Sequence, residues 1–421
     1  MKRPRFFHGW WIVVTAAVIS FWGGVGFYCI TAFIKPVVDQ FGWSYLEVSI
    51  AGSLRSVEIG LVAPFVGFLA DRYGPRWVAL LGGIICGLGY ITLSLTNTLL
   101  MFYLGFFVYS IGLTGMGHGV TMTAVANWFK KSVGKAMGIT MAGYGLGGIF
   151  IPIIVWMIGI YDWRTALVIL GVVTWIIVIP AALFLRHRPE DMGLSPDGEK
   201  TAFETQFEVV KARTRVRPSG ADDFTVRHAL KTRAFWVLSV VFLVHMGVTS
   251  AVTLHAMPFF ISVGLPAELG AVIGMLIPVT SIIGRLAFGW LGDRFGHRRM
   301  LLVVITLQAV GLVFLGLGTQ LWHFVFFLAL YGPAFGGTFV VRPSLQRQYF
   351  GRAAFGSIQG VLLAVTQIGG LTAPALAGWV FDVKQSYQLI WLAFATATFA
   401  TGPLLLLAGR PRTEPVPSAP A

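Results

Sequence analysis

Twelve long apolar runs restrict the fold of this chain more than any motif does. They occupy 10–33, 49–70, 77–96, 99–127, 133–158, 164–185, 234–260, 267–291, 300–318, 321–346, 354–380 and 387–409. A helix needs roughly 20 apolar residues to cross a bilayer. Every backbone N–H and C=O in hydrocarbon must be bonded internally, so such runs become helices. Composition agrees: 56% of residues are hydrophobic and only 11% charged, against about 25% charged in a soluble domain. An ordinary soluble enzyme, a DNA-binding protein and a secreted disulfide scaffold are excluded. The expected class is an all-α membrane protein with twelve transmembrane helices.

The net charge of +14 falls between the apolar runs rather than on one patch. That pattern is topogenic and does not call for nucleic acid as a partner. The inner segments hold Lys2, Arg3, Arg5, Arg72, Arg76, Lys130, Lys131, Lys135, ten cations in 186–233, Arg294, Arg298, Arg299, Arg352, Arg410 and Arg412. The outer loops hold only Lys35, Arg164 and Lys384. Both termini are therefore expected in the cytosol. The opening MKRPRFFHGWW has a basic start, but the apolar run after it is too long for a signal peptide and is read as a retained first helix. Cys29 and Cys86 both lie inside apolar runs, which speaks against a disulfide or a metal site.

Residues 186–233 are polar and basic and divide the chain into six runs plus six. The expected organisation is a six-helix bundle over 1–185, a cytosolic connecting loop over 186–233, a second six-helix bundle over 234–409 and a disordered cytosolic tail over 410–421. Within the loop, 203–216 is a candidate for an interfacial helix.

The two halves repeat. GFLADRYGPR at 67–76 and GWLGDRFGHR at 289–298 share Gly-x-x-x-Asp-Arg-x-Gly-x-Arg at an offset of 222 positions. WFKKSVGKAMG at 128–138 and YFGRAAFGSIQG at 349–360 form a second pair with one residue inserted. Each copy follows the same run of its half. A duplicated six-helix unit is the mark of a two-bundle transporter. On these motifs the chain resembles the major facilitator superfamily, from the first run to the twelfth. The resemblance implies two six-helix bundles and a conformational role for Gly67, Asp71, Arg72, Gly74, Arg76, Gly289, Asp293, Arg294, Gly296 and Arg298. The glycines permit tight turns and close helix contact. Asp and Arg can pair across the seam between bundles.

Ionisable groups deep in a bilayer are costly and are functional candidates by default. They are Arg55 and Glu58 in the second run, His118 in the fourth, His245 and His255 in the seventh, Arg285 in the eighth and Arg342 in the tenth. Arg285 precedes Asp293 by eight residues, which puts it roughly 12 Å into the membrane. No carboxylate occupies its helical neighbours Ser281, Ile282, Phe288 or Gly289. An unpaired buried guanidinium suits an anion, and a carboxylate held by two bonds fits best. The competing reading is an Arg held by a carbonyl or a distant acid. Arg55 and Glu58 stand three apart and are expected to pair with each other. Arg342 lies near the cytosolic end, where it can snorkel in a structural or gating role. His118 can line a cavity or bond a neighbouring helix, and His255 can contact a carboxylate or carry a proton. His245 is the weaker case and receives no role. Tyr331, Tyr28, Tyr144 and Tyr387 are possible hydroxyl donors.

HGWWIVV, FIKPVVDQFGWS and SIIGRLAFGWLGDRFG resemble the monocarboxylate transporter branch and its prokaryotic relatives. The resemblance implies that Arg285 holds a substrate carboxylate and that His255 contacts substrate. Two departures stand out. Animal members carry an Asp where this chain has Ser281, and a Lys in helix one where it has Tyr28. Proton coupling must then differ, with Arg285 and His255 as the candidates. A sister branch that exchanges oxalate for formate carries a second cation in helix eleven. That run has no Lys or Arg here between Phe355 and Val380, which favours a single negative charge on the substrate.

The expected function is secondary active transport of small monocarboxylates such as lactate or pyruvate, by proton symport and alternating access. Arg285 would clamp the carboxylate, with His255 and Ser281 bonding nearby. An oxalate/formate-type antiporter, or an exporter of other small solutes, is the alternative. A sensor or an intramembrane enzyme is disfavoured: no His-Glu-x-x-His cluster or Gly-x-Ser-x-Gly elbow is present. The expected partners are a small carboxylate anion, protons and lipid, with no cofactor or metal. The chain is expected to work as a monomer in a cell membrane, the inner one if the source is prokaryotic.

Overall fold

The computed structural model describes residues 7–198 and 224–407, together with 409 and 411. The proposed interfacial helix at 203–216 and nearly all of the tail lie outside the described residues. Among the described residues there is no strand. Twelve long helical segments follow in order: α1 Gly9–Phe41, α2 Tyr45–Tyr73, α3 Pro75–Ser94, α4 Leu99–Trp128, α5 Val133–Tyr161, α6 Trp163–Phe184, α7 Arg233–Ser262, α8 Ala267–Phe295, α9 His297–Gly316, α10 Leu321–Phe350, α11 Phe355–Lys384 and α12 Gln388–Leu406.

Several helices outrun the apolar stretches, because local chemistry rather than hydropathy sets their ends. α2 starts at Tyr45 because Ser44 and Glu47 cap it reciprocally: Ser44 Oγ accepts from the Glu47 amide at 3.2 Å, and the Glu47 carboxylate accepts from the Ser44 amide at 2.8 Å. α1 runs on past the bilayer-length stretch, and its last turns carry the Lys35–Asp39 ion pair at 2.8 Å.

One apolar core is built from residues of the first half, Ile12 to Leu185, joined by Val340 and Phe355. Two further cores belong to the second half, between Phe224 and Leu405. The halves form two six-helix bundles that meet along two seams, α2 against α11 and α5 against α8.

The repeated motifs build these seams. Each copy of the first motif ends a helix and then turns at a glycine with φ +89° (Gly74) or +92° (Gly296). With ψ at 151° and 130°, this is backbone that residues with a Cβ rarely adopt. The other glycine of each motif allows close approach. A Cβ on Gly67 would fall onto the Gly356 carbonyl, and one on Gly289 onto the Gly134 carbonyl. Asp71 accepts from the Gly356 amide (2.8 Å), the Ser357 amide (2.6 Å) and the Ser357 hydroxyl (2.7 Å). Asp293 accepts from the amides of Gly134 (2.8 Å) and Lys135 (2.7 Å). Each aspartate thus caps the N-terminus of a helix in the opposite bundle, where free amides and the helix dipole favour a negative charge. The first motif of one half binds the second motif of the other.

The arginines of the motif do something different from the expected Asp–Arg pairing. Arg72 lies over the rings of Phe68 and Tyr73, Arg76 over Trp77, and Arg294 over Trp290 and Phe295. Arg298 donates to the carbonyls of Leu405 and Leu406. Backbone amides are nearer to the carboxylates than any guanidinium, so they take the bonds. Further ties at this end run from Arg347 Nε to the Ala126 carbonyl (2.9 Å) and from Arg352 to Glu190 (2.5 Å). Burial works to raise the Glu190 carboxyl, but the bond from Arg352, a backbone bond and the charges of Arg352 and Arg188 together outweigh it and leave it below the ordinary range. The bundles are therefore closed against each other at the end that carries the motifs.

Candidate functional site

Three spans of the first bundle lose regular α-helix close to one another. α1 passes through a 3₁₀ turn at Ile30–Phe33, just after Tyr28. α4 breaks after Gly115, and its second segment begins at His118. α5 passes through a 3₁₀ turn at Gly147–Phe150, just after Tyr144. Interrupted helices in a membrane are tolerated where they line a cavity, and half-helix N-termini suit anions there. Tyr28, His118 and Tyr144 meet at these breaks. Tyr28 and Tyr144 have ring centroids 5.9 Å apart, and His118 and Tyr144 6.0 Å. All three are only half-buried although they stand between the bundles.

The second bundle brings Arg285 to this group. Its side chain is fully buried, at 0% exposure. Nη1 donates to the Met141 carbonyl of α5 at 2.7 Å, while Nε and Nη2 have no partner. The carbonyl reading is therefore half of the answer: one N–H group is held, and the rest of the fork is free. Its guanidinium carbon lies 5.2 Å from the centroid of Phe339, and Phe339 meets His118 edge-on at 6.4 Å. Space for the guanidinium comes from Gly145, where any Cβ would run into Nη1. Arg285, Phe339, His118, Tyr144 and Tyr28 form one continuous group across the α5–α8 seam.

The remaining candidates lie elsewhere. Ser281 is buried, but its hydroxyl donates to the Pro278 carbonyl of its own helix at 2.6 Å. His255 bonds the Tyr387 hydroxyl at 3.1 Å and the Pro374 carbonyl at 3.0 Å. His255, far along α7 from the motif end, and Tyr387, at the start of α12, make a separate pair, and no bond joins them to Arg285. Tyr331 is 1% exposed and packs between Phe327 and Phe335 inside the second bundle, with its hydroxyl unbonded. It shares that interior with Gln308 and the fully buried His245. Arg342 rests 4.2 Å from the ring centroid of Phe242.

Arg55 and Glu58 do not form the expected ion pair. Glu58 turns to Ser110 of α4, whose hydroxyl donates to Oε2. Arg55 instead stacks over Phe27, 4.7 Å from the ring centroid. Phe27 touches both Tyr28 and Tyr144. A second cation is thus connected to the same aromatic group. Phe339, Gly145 and the Met141 carbonyl carry no chemical mark in the sequence. Met141 and Gly145 lie opposite Arg285 across the α5–α8 seam, and Phe339 lies on α10 of its own bundle.

The Major Facilitator Superfamily profile matches residues 16–287 and 266–421. The chain belongs to this superfamily. Among characterised proteins it is similar to monocarboxylate transporter 12 of Xenopus laevis, with 24% identity over 91% of this chain and 85% of that protein. It is also similar to the oxalate:formate antiporter of Oxalobacter formigenes, with 26% identity over 93% of this chain and 91% of that protein. Its fold matches the proton:xylose symporter XylE with a TM-score of 0.74 at 13% identity, over 97% of both chains. It also matches the human organic anion transporter MFSD10 with a TM-score of 0.71 at 15% identity, over 96% and 100% of the chains. The chain is a multi-pass membrane transporter of this superfamily.

Proposed function

We propose that the protein carries small monocarboxylates of the lactate and pyruvate type across a cell membrane by proton symport, through alternating access. The observation that carries this reading is Arg285: fully buried, mid-span, at the seam, with Nε and Nη2 unpartnered. A guanidinium fork in a dry site favours a planar carboxylate, which accepts two bonds at once. His118, Tyr28 and Tyr144 supply polar contacts around it, and Phe339 packs the short alkyl part. The relatives named for monocarboxylates support the substrate class. The positive-charge pattern supports a cytosolic position for the termini and the motif end, and on that reading this conformation is closed to the cytosol. Binding an anion neutralises Arg285, which lowers the cost of enclosing it and ties movement to loading. The paired His255 and Tyr387, and Tyr331, act along the outer path or in the second bundle, not at the carboxylate.

Uptake of radiolabelled L-lactate by purified protein in proteoliposomes tests the assignment. Arg285→Ala removes about two bonds to a charged group at about 1.5–3 kcal/mol each. Uptake should fall about a hundredfold or more; transport by Arg285→Ala at the wild-type rate would sink the reading. A second reading, exchange of a dicarboxylate such as oxalate, is favoured by one observation. Arg55 lies over Phe27, which packs on Tyr28 and Tyr144 of the same group. Strong competition by oxalate would favour it.

A further inference from the structure

Glu58 is the one carboxyl group in the middle of any span. It is 4% exposed, with Oε2 held by the Ser110 hydroxyl and Oε1 without a partner. It also breaks the internal two-fold. The position 222 residues on is Thr280, whose hydroxyl merely back-bonds to Leu276 and Ile277. The scaffold therefore does not require an acid at this place.

We propose that Glu58 is the proton-binding residue of the transport cycle: a buried carboxyl with one free oxygen, one helical turn from Arg55. The inference rests on the carboxylate-symport reading. An ionised Glu58 offsets the charge of Arg55, and Arg285 remains a cation of the site with no acid partner. A proton from the outer water forms an O–H bond at Oε1 and leaves a neutral acid, so the region gains one positive charge. One monocarboxylate at Arg285 cancels that charge. The loaded carrier then holds the same net charge as the empty one, and one proton moves with one anion. On the cytosolic side the anion leaves, the O–H bond breaks and the proton follows. Arg55 carries the link, because it lies over Phe27, which packs on Tyr28 and Tyr144.

The neighbours of Glu58 fit this role. The cation that acts on it is Arg55 of its own helix. The titratable groups near that cation include Tyr109 on α4, beside Ser110, Cys86 on α3, His118 on α4 and Tyr144 on α5. From α11, Gln367 donates to the Ser56 carbonyl at 3.2 Å and brings no charge. Among the described residues no second acid lies beside Glu58 to compete for the proton, whereas Asp71 and Asp293 are held by backbone amides at the far ends of their helices.

The test compares wild type and Glu58→Gln in proteoliposomes with radiolabelled L-lactate, read in two modes. One is accumulation driven by an inward proton gradient. The other is lactate–lactate exchange at equal pH, which moves no net proton. Glu58→Gln should lose gradient-driven accumulation at least tenfold and keep exchange within about twofold. Ser110→Ala keeps the carboxyl but removes a donor to its charged form. Its uptake profile should extend to higher pH by about one unit. Full gradient-driven accumulation by Glu58→Gln would overturn the proposal alone. If Glu58→Gln loses both modes, Ser110→Ala decides, and an unshifted profile overturns it. A wild type that takes up no lactate, or ignores the gradient, would overturn the symport reading and this proposal together.

Discussion

Arg285 illustrates how far a single residue can be read. A guanidinium in an apolar run has few reasons to exist, and hydropathy alone marks it. Its partners could not be read, because a carbonyl (Met141) and a missing side chain (Gly145) leave no chemical trace. Two predictions belong at this scale. Arg285→Lys keeps the charge and loses the planar fork, so L-lactate uptake should fall about tenfold at a fixed substrate concentration. Gly145→Val places a side chain where Nη1 lies. It should displace the guanidinium and reduce uptake strongly, while thermal unfolding in detergent shifts far less than for a core cavity. The Arg55–Glu58 expectation failed for a related reason. Spacing on one helix shows that two side chains can meet, but here Ser110 and Phe27 on other helices draw them apart.

At the scale of elements, the twelve runs and the duplicated motif were legible because hydrocarbon permits little besides helices and the repeat is long. The helix breaks were not. α4 is interrupted before His118 and α5 changes pitch after Tyr144, where glycines are too common in membrane helices to be diagnostic. The motif's two kinds of glycine make separate predictions. A Cβ on Gly296 meets nothing within 4 Å, so Gly296→Ala should cost only backbone strain, about 1–3 kcal/mol, seen as a lower unfolding temperature. Asp293→Asn weakens two amide bonds that close the motif end. It should raise labelling of a cysteine placed at buried Met137, on the α5 seam, by a hydrophilic maleimide several-fold. Unchanged labelling would mean that Asp293 is not part of the latch.

The whole molecule is a near-symmetric frame with chemistry at its departures from symmetry. Gly138 packs against the carbonyl of Arg285, and Gly360 packs against the carbonyl of Ala63, its counterpart 222 positions earlier. The frame is therefore the same at both places, and only one carries a guanidinium. The halves were readable from the repeat. How they face each other was not, since closure at the motif end depends on which backbone amides the aspartates find. Substrate should act at this scale too, by stabilising one arrangement of the bundles; saturating lactate should raise the unfolding temperature of wild type and leave Arg285→Ala unmoved. The most direct measurement of the central claim is accumulation of radiolabelled L-lactate in proteoliposomes with and without an inward proton gradient. The account predicts gradient-driven accumulation that pyruvate competes, oxalate does not, and Arg285→Ala abolishes. Accumulation that persists in Arg285→Ala, or no carboxylate uptake by well-folded wild type, would contradict it.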